Sequence, residues 1–487
     1  MEFHEIFQNI IAPFLIVAYG ISILLVVIVI VLENRSPLKT ISWSMVLLLL
    51  PGLGIIFYVF FGQNFRKEKI IARKGLKNHE SLLKLANAQI TKLSEGNLLS
   101  NNSAKRKRNI VQLLLNNSSA IFTVGNKVKI LKNGKATFDA ILSQLRLAKN
   151  YIHLEYYIFE NDEIGNVFKQ LLIQKAKEGV EVRMIVDDVG SWELKSAFFK
   201  EMRSAGIEIE SFLRVRFPWF TSKVNYRNHR KIVVVDGEVG FIGGINIADR
   251  YLKGSKEYGI WRDTHMMIEG DGVNMLQTIF LIDWYFVSQK ELAETKYFPI
   301  KQPKGNKTVQ IVSSGPDSDW PAIMMGFFEA IASAENYVFI ATPYFMPSES
   351  VLMAIKSAAM GGVDVRILLP AKSDAFVTLL SSRSYIRELL ESGVKVYQYE
   401  KGFLHSKTLV VDDLIASIGS ANMDFRSFEQ NFEVTSFVYD EEIALELKGI
   451  FMEDLENSSR ILLEEWMRRS VKEKAKESFA RLFSPLL

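Results

Sequence analysis

The chain holds six histidines in 487 residues, at positions 4, 79, 153, 229, 265 and 405, and two of them open the same pattern. His229-Arg-Lys231-Ile-Val-Val-Val-Asp236 and His405-Ser-Lys407-Thr-Leu-Val-Val-Asp412 both read H-x-K-x4-D. In each, a glycine follows seven residues after the Asp and an asparagine three further on, giving Gly243 with Asn246 and Gly419 with Asn422. With each charged residue type near 6% of an average chain, two such matches among six histidines arise by chance on the order of a few times in ten thousand. The apolar residues between Lys and Asp mark a buried strand, and strand alternation puts His and Lys on one face. A single strand histidine reads as a satisfied core residue; a repeated pair reads as a site. Two imidazoles and two ammonium groups meeting across a pseudo-two-fold would form a cationic pocket for one phosphodiester. One imidazole can attack phosphorus to give a covalent phosphohistidine, while the other, protonated, delivers a proton to the departing oxygen. Lysine and asparagine side chains would neutralise the non-bridging oxygens of the five-coordinate transition state. With ammonium groups in that role, no metal and no other cofactor is expected.

The elements that must carry these residues also occur twice. Ala148-Lys-Asn-Tyr-Ile-His-Leu-Glu-Tyr-Tyr-Ile-Phe159 parallels Ala334-Glu-Asn-Tyr-Val-Phe-Ile-Ala-Thr-Pro-Tyr-Phe345, Gly179-Val-Glu-Val-Arg-Met-Ile-Val186 parallels Gly362-Val-Asp-Val-Arg-Ile-Leu-Leu369, and Gly206-Ile-Glu-Ile209 parallels Gly393-Val-Lys-Val396. The offsets stay between 183 and 187 residues, the mark of an internal repeat. Short β-branched runs alternating with helical stretches such as Ile164 to Lys177 and Val351 to Ala359 predict parallel βαβ units. Two α/β domains are therefore expected side by side, at 121–300 and 301–457.

Upstream, Ile10 to Leu32 runs 23 residues without a charge and predicts a transmembrane helix. A second uncharged run, Ile41 to Gly62, carries Pro51, Gly52 and Gly54 and would either span or re-enter. The first run is too long for a signal peptide, with no basic stretch before it and no small-x-small cleavage site after it. Residues 1–62 are thus expected to form a membrane hairpin and 63–120 a polar connector. Arg66, Lys67, Lys69, Arg73, Lys74 and Lys77 crowd the second exit against Arg35 and Lys39 in the turn, which puts the large C-terminal part in the cytoplasm if the second run spans and on the opposite side if it re-enters. The 59 Lys plus Arg against 55 Asp plus Glu leave a formal charge of +4, too even for a chain that works by neutralising nucleic-acid phosphates. No cysteine is present, which removes disulfides, thiolate zinc sites and cysteine nucleophiles.

The twin motifs resemble the phospholipase D superfamily. The whole chain resembles the membrane-anchored bacterial cardiolipin synthases, from Asn34-Arg-Ser-Pro37, Trp43, Pro51, Gly54, Tyr58 and Gly62 through the repeat to Arg481-Leu-Phe-Ser-Pro-Leu-Leu487. The resemblance implies an α/β fold of two repeated phospholipase D-like α/β/α domains sharing one active site behind an N-terminal transmembrane hairpin. It implies transphosphatidylation in the bacterial inner membrane, joining two phosphatidylglycerols into cardiolipin with release of glycerol. His229 is then the expected nucleophile and His405 the acid and later base, with the reverse order open because the motif is symmetric. Lys231 and Lys407 are expected to serve the same chemistry, and Asn246 and Asn422 the phosphate. Asp263 and Glu433 stand at the positions of carboxylates that orient the imidazoles, and Asp236 and Asp412 would brace the motif rather than touch phosphate. A phospholipid hydrolase or head-group exchanger, a membrane-tethered nuclease and a catalytically silent scaffold are the rival readings.

Two further segments bear on lipid. Arg214-Val-Arg-Phe-Pro-Trp-Phe220 sets cations beside aromatics, as in an interfacial lip or a packed loop. Within 458–487, Leu463, Met467, Val471, Ala475, Phe479, Leu482 and Leu486 recur at helical spacing and predict an amphipathic helix, its apolar face turned to the protein or to a membrane surface.

Overall fold

The computed structural model describes residues 7–32, 37–50, 53–58, 76–99, 101–214 and 226–486, which fall into two compact units. The smaller unit holds the N-terminal helices. Its longest helix, Ala12–Leu32, is uncharged and mostly apolar, and Pro37–Leu49 and Leu53–Phe57 follow it. Val26, Leu47 and Tyr58 form a small buried cluster, with the Trp43 ring edge-on to Tyr58 at 5.6 Å. Most other large apolar side chains here point outward, including Phe14, Ile16, Leu24 and Leu49. Among the described residues no helix is long and apolar enough to cross a membrane; the side chains of Val27 and of residues 29–32 fall outside that description. The basic cluster at 66–74 and the aromatic segment 215–220 also lie outside the described residues.

The larger unit is built on one sheet. Its first half contributes β1 (Phe122–Lys132), β2 (Tyr151–Tyr156), β3 (Glu181–Asp187), β4 (Glu208–Phe212), β5 (Lys231–Val235), β6 (Val239–Gly243), β7 (Ile260–Arg262) and β8 (Thr264–Glu269). The second contributes β9 (Lys307–Ser314), β10 (Tyr337–Ala341), β11 (Phe345–Met346), β12 (Asp364–Pro370), β13 (Lys395–Tyr399), β14 (Gly402–Leu404), β15 (Thr408–Val411), β16 (Ile415–Gly419), β17 (Met423–Asp424), β18 (Glu433–Val438) and β19 (Ser458–Arg460). Fifteen of these run in the order β19-β13-β12-β10-β15-β16-β18-β9-β1-β8-β6-β5-β2-β3-β4. The order mirrors itself about the antiparallel β1–β9 pair, so the two halves share a continuous sheet. The expected parallel units are present as β2-β3-β4 and β10-β12-β13. The motif strands β5 and β15 instead join them antiparallel, beside β2 and β10.

Alternation along β3 explains the layers. Val182, Met184 and Val186 face a core shared with Phe138, Phe168, Leu172 and Phe198 from the helices Asn133–Leu147, Glu163–Lys177 and Ser196–Ser204. The opposite face meets the buried helix Gly272–Ser288, where the His153 ring stacks on Phe280 at 4.4 Å and Arg183 lies over Trp284. The result is a helix–sheet–helix arrangement in which the strands, covered on both sides, read as near-continuous apolar runs. The motif glycines have a packing reason: a Cβ on Gly243 would come 2.7 Å from His265 Cα in β8, and one on Gly419 would come 2.6 Å from Thr435 Cα in β18.

Within the polar connector, Ile110, Val111, Leu114 and Leu115 of the helix Arg108–Ser118 are buried, and Asn101 bonds Thr308 and the Tyr439 carbonyl. The C-terminal amphipathic helix is broken into Leu463–Met467 and Val471–Arg481, because Ser470 and Glu473 form a capping box that starts the second piece.

Candidate active site

Each motif histidine sits just ahead of its strand, on a backbone held by the other half of the molecule. His229 N donates to the Phe432 carbonyl at 2.9 Å, and His405 N donates to the Arg262 carbonyl at 2.7 Å. Those acceptors immediately precede the two carboxylates, so the pairing is crossed. His229 Nδ1 lies 2.9 and 3.0 Å from the two oxygens of Glu433, and His405 Nδ1 lies 2.6 Å from Asp263 Oδ2. A carboxylate on Nδ1 holds the ring proton there and turns the Nε2 lone pair toward the site.

The lysines follow the same symmetry. Lys231 Nζ donates to the His229 carbonyl at 2.6 Å and Lys407 Nζ to the His405 carbonyl at 2.5 Å. All four groups are buried: His229, Lys231, His405 and Lys407 are each less than a tenth exposed. Burial, opposed by Glu433, brings the His229 imidazole down to about 4, with Lys231 and Lys407 pushing the same way. His405 is held well below the ordinary range by burial and then by Lys407, Lys231 and His229. Burial also lowers Lys231 strongly and Lys407 to about 8. Desolvation and mutual repulsion disfavour the charged forms of these groups, whereas an anion beside them would favour those forms.

The carboxylates differ in environment as well as in length. Glu433 is shifted below its usual value because His229, Lys231 and the Ser420 hydroxyl outweigh its burial. Asp263 is shifted upward by burial, though Lys407 and the Thr264 N–H oppose it. Position 420 is serine where the first half has Gly244, and a Cβ on Gly244 would come 2.6 Å from Asp263 Oδ2. The hydroxyl that supports the longer Glu and the gap that admits the shorter Asp are two versions of one contact. His405 Nδ1 also lies 2.9 Å from Lys407 Nζ and 3.4 Å from the Tyr251 hydroxyl, so a donor and an acceptor compete for it.

The motif aspartates are set apart from this centre. Asp236 and Asp412 end strands of about 3.3 Å per residue and face away from the pocket. Asp236 accepts the backbone N–H groups of Lys149, Asn150 and Tyr151, and Asp412 those of Glu335, Asn336 and Tyr337. Both have positive φ, near 52° and 56°. Both thus clamp the starts of β2 and β10. The asparagines lie beside the site but are committed: Asn246 takes the Ile158 N–H and donates to Tyr251, while Asn422 donates to Asp424.

Several neighbours had no motif to announce them. The Tyr157 ring stands edge-on to His229 at 4.9 Å with Lys231 over its face, and Tyr251 and Trp261 flank His405. Beneath the first motif, Arg230 pairs with Asp283, and Asn228 Nδ2 donates to Glu155 at 2.5 Å. Asp283 is the single acid in the apolar helix Gly272–Ser288, and that was its only signal in the sequence. Among the described residues no cluster of His, Asp and Glu side chains is arranged to hold a metal ion.

Comparison with known proteins agrees with this geometry. Residues 141–284 and 327–455 match the family model described as cardiolipin synthase, PLD-like domain, and residues 20–63 match a phospholipase D-nuclease N-terminal model. The chain is 44% identical to cardiolipin synthase 2 of Bacillus anthracis, covering 96% of this chain and 91% of that one. It is 41% identical to the major cardiolipin synthase of Bacillus subtilis strain 168, covering 96% and 97%. Among solved structures, the phosphatidylserine synthase of Haemophilus influenzae superposes with a TM-score of 0.59 at 14% identity, over 79% of this chain and all of that one, a likeness of fold. With family-model matches in both halves of the sheet and relatives aligned along nearly its whole length, the chain belongs to the cardiolipin synthase family of phospholipase D-like proteins.

Proposed function

We propose that the chain is a phosphatidyltransferase that joins two phosphatidylglycerols into cardiolipin and glycerol. The observation that carries this reading is the crossed arrangement of two imidazoles and two lysines, each imidazole backed by a carboxylate from the opposite half. In the first step His229 Nε2 attacks phosphorus of one phosphatidylglycerol, the bond from phosphorus to the glycerol oxygen breaks, and His405 gives that oxygen its proton. In the second, His405 takes the proton from a hydroxyl of the other phosphatidylglycerol, whose oxygen attacks phosphorus as the P–N bond breaks. Lys231 and Lys407 offset charge on the non-bridging oxygens. Asn246 and Asn422 hold the surrounding loops.

Two differences favour His229 as nucleophile. Among the described residues its Nδ1 has the ionised Glu433 as sole hydrogen-bonding partner, which fixes the tautomer and stabilises a phospho-imidazolium. His405, between Lys407, Tyr251 and an Asp263 whose acidity burial has weakened, suits a group that gives and retakes a proton. Arrival of an anionic phosphate among the lysines raises the His405 pKa and loads that proton.

The N-terminal helices are read as a membrane hairpin on the strength of the uncharged Ala12–Leu32 helix, the outward apolar side chains and the family match at 20–63. The basic residues at 66–77 then hold the larger unit on the cytoplasmic side of a bacterial inner membrane.

The test is to supply phosphatidylglycerol vesicles to the full chain and follow products by mass. Cardiolipin with free glycerol is expected, and His229→Ala and His405→Ala should each lower it at least a thousandfold. Phosphatidic acid as the sole product would make the protein a hydrolase instead, and salt-sensitive DNA binding without lipid turnover would favour a nuclease.

A further inference from the structure

The helix Val471–Arg481 is amphipathic in the wrong sense for a soluble surface. Part of its charge is turned inward: Glu477 is buried between Arg383 at 3.0 Å and Arg469 at 2.5 Å, and Arg481 reaches Glu388 at 2.6 Å while stacking on Tyr385. Its apolar edge is turned outward, with Val471, Phe479 and Leu482 exposed by 82, 65 and 72%. Helices in water bury the apolar stripe and expose the charges.

This helix packs on Phe376–Ser384, joined to it by the Arg383–Glu477 pair and followed by the Ser381–Ser484 hydroxyl contact. Phe376, at the start of that second helix, is itself 68% exposed. The loop leading to it holds Asp374, which accepts from the Tyr344 hydroxyl at 2.6 Å and acts electrostatically on Lys407. The corresponding loop of the first half, after β3, carries Trp192, exposed by 79%, and its Ser191 hydroxyl donates to the carbonyl of Tyr157, whose ring abuts His229. Both loops follow the C-terminal ends of β3 and β12, at the sheet edge where the motif strands β5 and β15 begin. The cations beside these exposed side chains, Lys372, Lys472 and Lys476, are exposed, whereas Glu473 is drawn into the Ser470 cap and Glu477 into its arginine pairs.

From this placement we propose that Trp192, Phe376, Val471, Phe479, Leu482 and Phe483 form a surface that docks the larger unit on an anionic lipid bilayer, over the site mouth. The proposal rests on the phosphatidyltransferase reading, because it is the substrate bilayer that covers the patch. Rings and aliphatic side chains insert among the acyl chains near the headgroups while the lysines meet lipid phosphates. A lipid then enters the site from the surface that already holds it.

The experiment uses the full chain carrying Trp192→Ser, Phe376→Ser, Phe479→Ser and Leu482→Ser together. Turnover of phosphatidylglycerol in vesicles should fall at least tenfold, while turnover of dihexanoyl phosphatidylglycerol dispersed as monomers stays within twofold of the unsubstituted chain. Equal loss on both substrates, or no loss on vesicles, would overturn the proposal. As an independent readout, lipids brominated along the acyl chain should quench a tryptophan signal that Trp192→Phe removes; absence of that difference would also overturn it. A change in the oligomeric mass of the detergent-solubilised protein on substitution would assign the patch to a second copy and overturn the lipid assignment. If the unsubstituted chain makes no cardiolipin from either substrate, the functional reading fails, and the quenching measurement still decides the docking surface.

Discussion

In the proposed mechanism two imidazoles are given different work by the environment of one atom. His229 Nδ1 meets carboxylate oxygens, whereas His405 Nδ1 meets a carboxylate, an ammonium and a phenol. Glu433→Gln keeps the shape but loses the charge, so the tautomer is no longer enforced, and kcat should fall by about 10²–10⁴ as in other histidine–carboxylate pairs. Its pH profile carries the sign: Glu433 raises the His229 pKa against burial, so removing that charge moves the acid limb of kcat/KM below its position near pH 4. A limb that moves upward, or an unchanged rate, would contradict the assignment. The four His and Lys positions and the two carboxylates were all legible from motif spacing and family resemblance. Which carboxylate serves which histidine was not, because that depends on how two distant halves meet.

At the scale of elements, the H-x-K-x4-D pattern divides into two tasks at opposite ends of one strand. The first end supplies chemistry; the last ties the turn to the start of the neighbouring strand through three N–H groups. Asp236→Ala should therefore lower stability by about 1–3 kcal/mol and leave kcat of the folded protein within twofold. Asp412→Ala should cost more, because Asp412 also neutralises Lys107, buried beside it at 3.1 Å, and an abandoned buried charge typically costs about 3–5 kcal/mol. Denaturant midpoints beside activity per folded molecule check both, and equal costs would remove Lys107 from the account. The parallel trios β2-β3-β4 and β10-β12-β13 were visible as β-branched runs spaced by helical patterns. The antiparallel insertion of β5 and β15 beside them left no local trace, since a strand buried on both faces looks alike in either direction. The C-terminal pattern failed differently: helical periodicity was present, but it could not show that the salt bridges of Arg383, Arg469 and Arg481 would turn the apolar edge outward.

For the molecule as a whole, burial of histidine sets an acid limit. His153 and His265 are lowered by burial to about 3, and His229 to about 4. Between about pH 6.5 and 4 the unfolded chain binds protons at these positions and the folded chain does not, so stability falls as pH falls through that window. His153→Gln, remote from the phosphate site, should flatten the slope measured by thermal unfolding in detergent; an unchanged slope would exclude it. Orientation is testable with unusual simplicity, because the natural chain has no cysteine. Ser36→Cys should react with an impermeant thiol reagent from outside the cell and Lys69→Cys only after the membrane is opened; the reverse pattern would invert the hairpin.

The crossed pairing of each imidazole with a carboxylate from the far half also bears on the chain as it emerges from the ribosome. When only the first repeat has been made, His229 exists but Glu433 does not, and Asp263 has no histidine to hold. On the proposed mechanism, a partly synthesised chain that ends before Glu433 lacks the carboxylate that fixes the His229 tautomer. Such a half-made site would be expected to stay silent until both repeats have been made and have met.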